Sequence, residues 1–255
     1  MTPVLHTQGL SKRYGQRWAL TDCTLNVPAG HAVGLVGPNG AGKTTLLNLA
    51  VGMLAPTSGT IEVLGGRPAG SRGQLARVGF VAQDTPTYAA LSVADHLRLG
   101  ARMNPSWDAA LARARIEGLG LDPRQRAGKL SGGQRAQLAL TLAVAKRPEL
   151  LILDEPIASL DPLARREFLE SLAEFISSSQ VSIVLSSHLV SDLERICDYV
   201  IVIVASRVQA AGQVSDLLAR HRAPDGAEPS LEDVILTYMK VATTPALETT
   251  PEVPR

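Results

Sequence analysis

Residues Gly37 to Thr45, GPNGAGKTT, place Gly37, Gly40 and Gly42 around a single cation, Lys43, directly after an apolar run, HAVGLV. Every fixed position of G-x-x-x-x-G-K-[ST] is present, between a strand-like AVGLV and a helix-like TTLLNLAVGML. Glycines let the backbone curl until successive N–H groups point inward, and the following helix adds the positive end of its dipole. That surface suits the phosphates of a nucleotide. Pro38, Asn39 and Ala41 complete the loop, Lys43 suits the β and γ phosphates, and the Thr44 hydroxyl, with Thr45 beside it, suits Mg²⁺. A second stretch, LLILDEP from Leu150 to Pro156, is a buried-strand pattern ending in two carboxylates. Asp154 is placed to reach the Mg²⁺ shell and Glu155 to orient or deprotonate an attacking water. Alone, DEP after an apolar run also fits a solvated strand end; a phosphate loop in the same chain favours the catalytic reading.

These residues need elements to hold them. Apolar runs at 32 to 36, 78 to 82, 150 to 153, 181 to 185 and 199 to 204 are hydrophobic on both alternating faces, as in strands covered on both sides. Helical patterns lie between several of them, which predicts an α/β fold with a mainly parallel sheet. Residues 91 to 145 read as three helices inserted in that core, with Ser92 and Ser106 as expected N-caps and Pro148 beyond the last helix. The opening segment, VLHTQGLSKRYGQRWALTDCTLNVPAG, alternates and turns like antiparallel strands, predicting an N-terminal β-layer. Residues 241 to 255, rich in Thr, Pro and Glu, read as a disordered tail.

Composition excludes several classes. The formal net charge of the 255 residues is +1, so no global field favours nucleic acid or an anionic membrane. Cys23 and Cys197 stand far apart without metal-ligand spacing, which predicts two buried thiols in a reducing compartment. The start resembles no secretory signal, and the longest apolar runs fall far short of the roughly 18 residues that span a bilayer. A cytoplasmic location is expected.

LSGGQ, Leu130 to Gln134, opens the helical pattern RAQLALTLAVAKR and supplies a second anion-binding surface, Ser131 with Gly132 and Gly133 at a helix N-terminus. One nucleotide does not need two such surfaces in one subunit. With the phosphate loop and DEP, this motif resembles the signature of the ATP-binding cassette (ABC) ATPases. The resemblance covers about residues 4 to 240, with a helical subdomain at about 86 to 146, and implies a RecA-like P-loop core. It implies that Ser131, Gly132, Gly133 and Gln134 contact the γ-phosphate held by a second copy. It implies that Tyr14 in SKRYG stacks on adenine, that Gln83 approaches Mg²⁺ and the attacking water, and that His188 in LSSHL senses the γ-phosphate. Ser159, Leu160 and Asp161 match the loop at the dimer interface, although IASLD departs from the glycine or threonine many relatives carry.

The resemblance implies an ATPase that uses ATP and Mg²⁺, works as a homodimer and drives a separate integral membrane permease. It would sit on the inner face of the cell membrane through that permease. PSLEDVILTYM resembles the ending of exporter ATPases of the ABC-2 type, so export is expected over import. A soluble cassette ATPase acting on DNA or ribosomes is the alternative. The single cassette, the short gap between Gly37 and Leu130 and the neutral charge all weigh against it, and no nucleic acid partner is expected.

Overall fold

The computed structural model describes residues 3–222 and 229–243. Two sheets divide the strands. In the smaller, β1 (Leu5–Tyr14) lies between β2 (Arg17–Val27) and β4 (Ser58–Val63), antiparallel to both. This is the predicted N-terminal layer, with β4 added from a segment that the alternation did not single out. In the larger, the order is β5 (Val78–Val81), β6 (Leu150–Asp154), β7 (Ser182–Ser187), β3 (Ala32–Val36), β8 (Tyr199–Val204) and β9 (Arg207–Gln213). All neighbours run parallel except β9, which turns back antiparallel along β8. The α/β class with a mainly parallel core and an antiparallel layer is therefore as expected.

Why these runs form inner strands is visible in their burial. β3, β6 and β7 are buried at every position. Leu151 and Leu153 face one side of the sheet, packing with Leu140 and Val144 of α5 (Gly132–Ala145) and with Phe168 and Leu172 of α6 (Pro162–Ser178). Leu150 and Ile152 face the other, packing with Leu46 and Leu47 of α1 (Lys43–Ala50) and with Leu10 and Leu20 of the small sheet. Each such fully buried side chain contributes about 1.5–3 kcal/mol. Cys23 and Cys197 are both buried free thiols, as expected.

Between β5 and β6 stand α3 (Val93–Met103), α4 (Ala109–Gly118) and α5, sharing a small core of Val93, Ile116, Leu130 and Leu138. Ser92 caps α3 in a capping box with Asp95. The cap of α4 is Asp108, not Ser106: its Oδ1 accepts the Leu111 N–H at 2.8 Å while Oδ2 accepts from Arg147 Nε at 2.9 Å. Ser106 lies in the preceding turn, short of the cap position.

After β7 come α7 (Val190–Glu194), then β8, β9, α8 (Val214–Arg220) and α9 (Leu231–Thr243). That last helix runs three residues beyond the expected start of the tail; residues 244–255 lie outside the described residues. No helix among the described residues is long and apolar enough to cross a membrane.

Candidate nucleotide site

The C-terminal ends of β3, β6 and β7 meet at one edge of the large sheet, where Asp154 pairs in register with Ser186 and Val36 with Ser187. Ligands of open α/β sheets bind beyond such ends. The glycine loop leaves β3 here. Gly37 has no room for a side chain: a Cβ would lie 2.0 Å from the Ile203 carbonyl oxygen of β8. Gly42 caps α1 at φ +112°, where a Cβ would also lie 2.4 Å from the Ala19 oxygen.

Lys43 begins α1 and folds back over the loop, 4% exposed. Its Nζ donates to the Gly37 carbonyl at 2.8 Å and lies 3.1 Å from Glu155 Oε1. The other carboxylate oxygen of Glu155 is 3.3 Å from His188 Nδ1. Glu155 sits at φ +43°, a left-handed conformation that costs a non-glycine residue energy and is met mostly at working sites. Its N–H donates to Ser186 Oγ at 2.8 Å, which locks the turn.

Asp154 Oδ1 accepts from Ser186 Oγ at 2.8 Å and from Thr44 Oγ1 at 3.2 Å. Burial pushes its carboxyl above the usual carboxylate range, against those two hydrogen bonds, which pull it down. A carboxylate deprived of water gains most from a nearby cation. Thr44 and Asp154 thus fit Mg²⁺, which prefers hard oxygen donors. Among the described residues no group of three or more His, Cys, Asp or Glu could hold a metal.

A cleft of about 700 Å³ opens over this cluster. Tyr14, Asn39, Gly40, Gly42, Thr44, Thr45, Gln83, Glu155 and His188 line it with Lys43, bringing most of the sequence-predicted residues together. Pro38 is exposed on the loop and Ala41 is buried beneath it. Two contributors escaped sequence reading. Arg17, paired with Tyr14 across the first hairpin, also lines the cleft; its only signal was a cation three residues after the aromatic. Ser186 joins Asp154 to Glu155, and its signal was the serine pair preceding His188.

Ser131, Gly132, Gly133 and Gln134 are not among the residues lining the cleft. They open α5, where Ser131 Oγ accepts the Gln134 N–H at 3.1 Å and Gln134 Oε1 accepts the Ser131 N–H at 3.0 Å. Asp161 is also apart, its carboxylate capping α6 by accepting the N–H groups of Leu163 and Ala164, each at 3.0 Å.

A backbone cradle with one buried cation, facing oxygen donors at the end of the parallel strand β6, places the molecule among the P-loop nucleoside triphosphatases. The sequence model of the ABC transporter family matches residues 20–158, and the chain belongs to that family as an ATP-binding subunit, an ATPase. The Nod factor export ATP-binding protein I of Ralstonia nicotianae is 34% identical over 242 residues, 91% of this chain and 74% of that protein. The phosphonates import ATP-binding protein PhnC 2 of Pseudomonas syringae pv. syringae is 35% identical over 242 residues, 85% of this chain and 87% of that one. A solved ATP-binding subunit of an ABC transporter superposes with a TM-score of 0.80 at 28% identity, covering 92% of this chain and 99% of that one. Relatives thus span importers and exporters, and membership implies ATP with Mg²⁺, dimerisation and pairing with a membrane permease.

Proposed function

We propose that two copies close head to tail around two ATP molecules and drive export through a separate membrane permease. The observation that carries this reading is the division of the phosphate-binding surfaces: Lys43, Glu155 and His188 line one cleft, and the Ser131 surface is not part of it. A γ-phosphate seated on Lys43 of one copy is then completed by Ser131 and Gly133 of the other.

In this reading the glycine-loop N–H groups and Lys43 neutralise the phosphates. Lys43 exchanges Glu155 for phosphate, which frees the Glu155 carboxylate to take a proton from the attacking water. His188, 3.3 Å from Glu155, holds that carboxylate's second oxygen and meets the γ-phosphate. Gln83, exposed on the cleft wall, orients water, and Tyr14 and Arg17 hold the base and phosphates. Mg²⁺, held by Thr44 and Asp154, would neutralise charge on the leaving phosphates. Cleavage removes a ligand shared by both copies and shifts the pair toward the open state.

The permease would dock in the apolar groove between α3 and α4, about 660 Å³, lined by Leu97, Ala101, Trp107, Ala112 and Ile116. Such a groove suits an amphipathic helix. Export is supported by the SLEDV ending and by the name of the Ralstonia relative. The 35% identity to a phosphonate importer favours the second reading, import. ATP-driven uptake into inside-out vesicles holding the subunit with its permease supports export, and ATP-driven loss from them supports import. For the sandwich itself, Glu155→Gln should bind ATP and elute as a dimer on gel filtration with turnover cut about 10²-fold; a monomer with a full ATPase rate would overturn it.

A further inference from the structure

His188 reaches Glu155 from a short segment between β7 and α7, and that segment is held by side chains the proposed reaction does not use. Ser187 Oγ accepts the Leu189 N–H at 3.0 Å and donates to Asp192 Oδ2 at 3.2 Å. Asp192, 5% exposed, is gripped by Arg165, whose Nε donates to Oδ1 at 2.9 Å and whose Nη2 donates to Oδ2. A two-pronged guanidinium–carboxylate pair fixes orientation as well as distance. Asp192 is buried while Arg165 stays partly exposed, so the pair must be well made to offset the water lost around the carboxylate.

Arg165 belongs to the first turn of α6, where its own N–H donates to the Asp161 carbonyl at 2.9 Å. The same turn lies against the LSGGQ segment: a Cβ on Gly133 would come within 2.7 Å of the Ala164 Cβ. A bonded path therefore runs from the surface built by α5 and α6, through Arg165, Asp192 and Ser187, to the backbone on either side of His188. Arg165 and Ser187 also cluster with Glu155 and His188, so the path passes beside the reacting groups.

We propose that Arg165 and Asp192 are positioning residues for His188, setting its distance from Glu155 and tying that distance to the first turn of α6. A shift of the face formed by α5 and α6, such as contact with a second copy, is thereby passed to the hydrolytic cluster. This rests on the reading of Glu155 and His188 given above.

The test combines steady-state kinetics with ¹H–¹³C spectra of the histidine rings, below the thermal midpoint of every variant. Arg165→Ala and Asp192→Asn should lower kcat about tenfold with KM for ATP within twofold, the signature of misplacement without lost binding. Arg165→Lys, keeping the charge without the fork, should fall between. The His188 resonance, assigned by its loss in His188→Ala, should move in Arg165→Ala while those of His6, His31, His96 and His221 stay. A lowered thermal midpoint with unchanged kcat and an unmoved His188 resonance would overturn the proposal and leave the pair a structural brace. If Arg165→Ala fails to fold, Arg165→Lys and Asp192→Asn carry both measurements. A wild-type chain that does not hydrolyse ATP would overturn the functional reading instead, and the His188 resonance would then decide this proposal by itself.

Discussion

The nucleotide cleft and the Leu130–Gln134 face are both built at helix N-termini, yet they are finished to different degrees. At the cleft, Lys43, Asp154 and Glu155 are buried: Lys43 pairs with Glu155, and Ser186 links the Glu155 N–H to the Asp154 carboxylate. At the start of α5, Ser131 and Gly132 are exposed, and the Ser131 and Gln134 side chains bond one another in a closed capping box. The first region carries its charges and its strain inside; the second offers a prepared backbone and little else. The difference teaches how a site can be shared. In the proposed pair, the copy that owns the cleft would bring cation and carboxylates, and the other would need only a rigid helix end, which the close approach of Gly133 to Ala164 supplies.

The strongest break in that comparison is Lys43→Ala. Loss of the buried cation of the cleft should reduce ATP turnover by about 10³-fold and abolish retention on an ATP-analogue column. Glu155→Gln sharpens it: a fall of about 10²-fold in kcat with ATP binding preserved separates proton transfer from phosphate holding. Ser131→Ala acts on the second region. Loss of the cap should cost about 1 kcal/mol in urea unfolding and leave ATP binding by the monomer within twofold, while weakening ATP-dependent dimerisation seen by gel filtration. If Ser131→Ala weakened monomer binding as much as Lys43→Ala, the two regions would not be distinct.

The smallest effect tests the core between them. Burial pushes the Cys23 thiol from 9.0 to about 11, and Cys197 further still. The folded thiol resists ionisation more than the unfolded one, so this contribution to stability is complete below about pH 9 and is lost as pH rises through about 11. Native protein at pH 8 should therefore resist alkylation that denaturant restores, and Cys23→Ser should shallow the decline in stability above pH 9.

The sequence made the cradle legible because its geometry is local: Gly37, Gly42, Lys43 and Thr44 lie within one loop and one turn of helix. Both-face apolar runs were equally readable, and β3, β6 and β8 start where expected. Contacts made across the sheet were not. Ser186 bonds Asp154 only because β7 registers against β6, a pairing 32 residues apart that no motif encodes. Arg17 reaches the cleft through a hairpin register, and the cap of α4 moved from Ser106 to Asp108 because Arg147, after α5, offers Asp108 a second partner. Partner-dependent choices of this kind carry no sequence spacing.

The close approach of Gly37 to the Ile203 carbonyl bears on the order in which the chain is made. β3 is translated before both its neighbours, β7 and β8, which emerge some 150 residues later. Long-range parallel pairing is slow to form and must wait for its partner. A nascent chain still missing residues 199–204 has the whole GPNGAGKTT loop but lacks the strand against which Gly37 is seated. The cradle is thus completed only after the elements that carry Asp154, Glu155 and His188 have already left the ribosome.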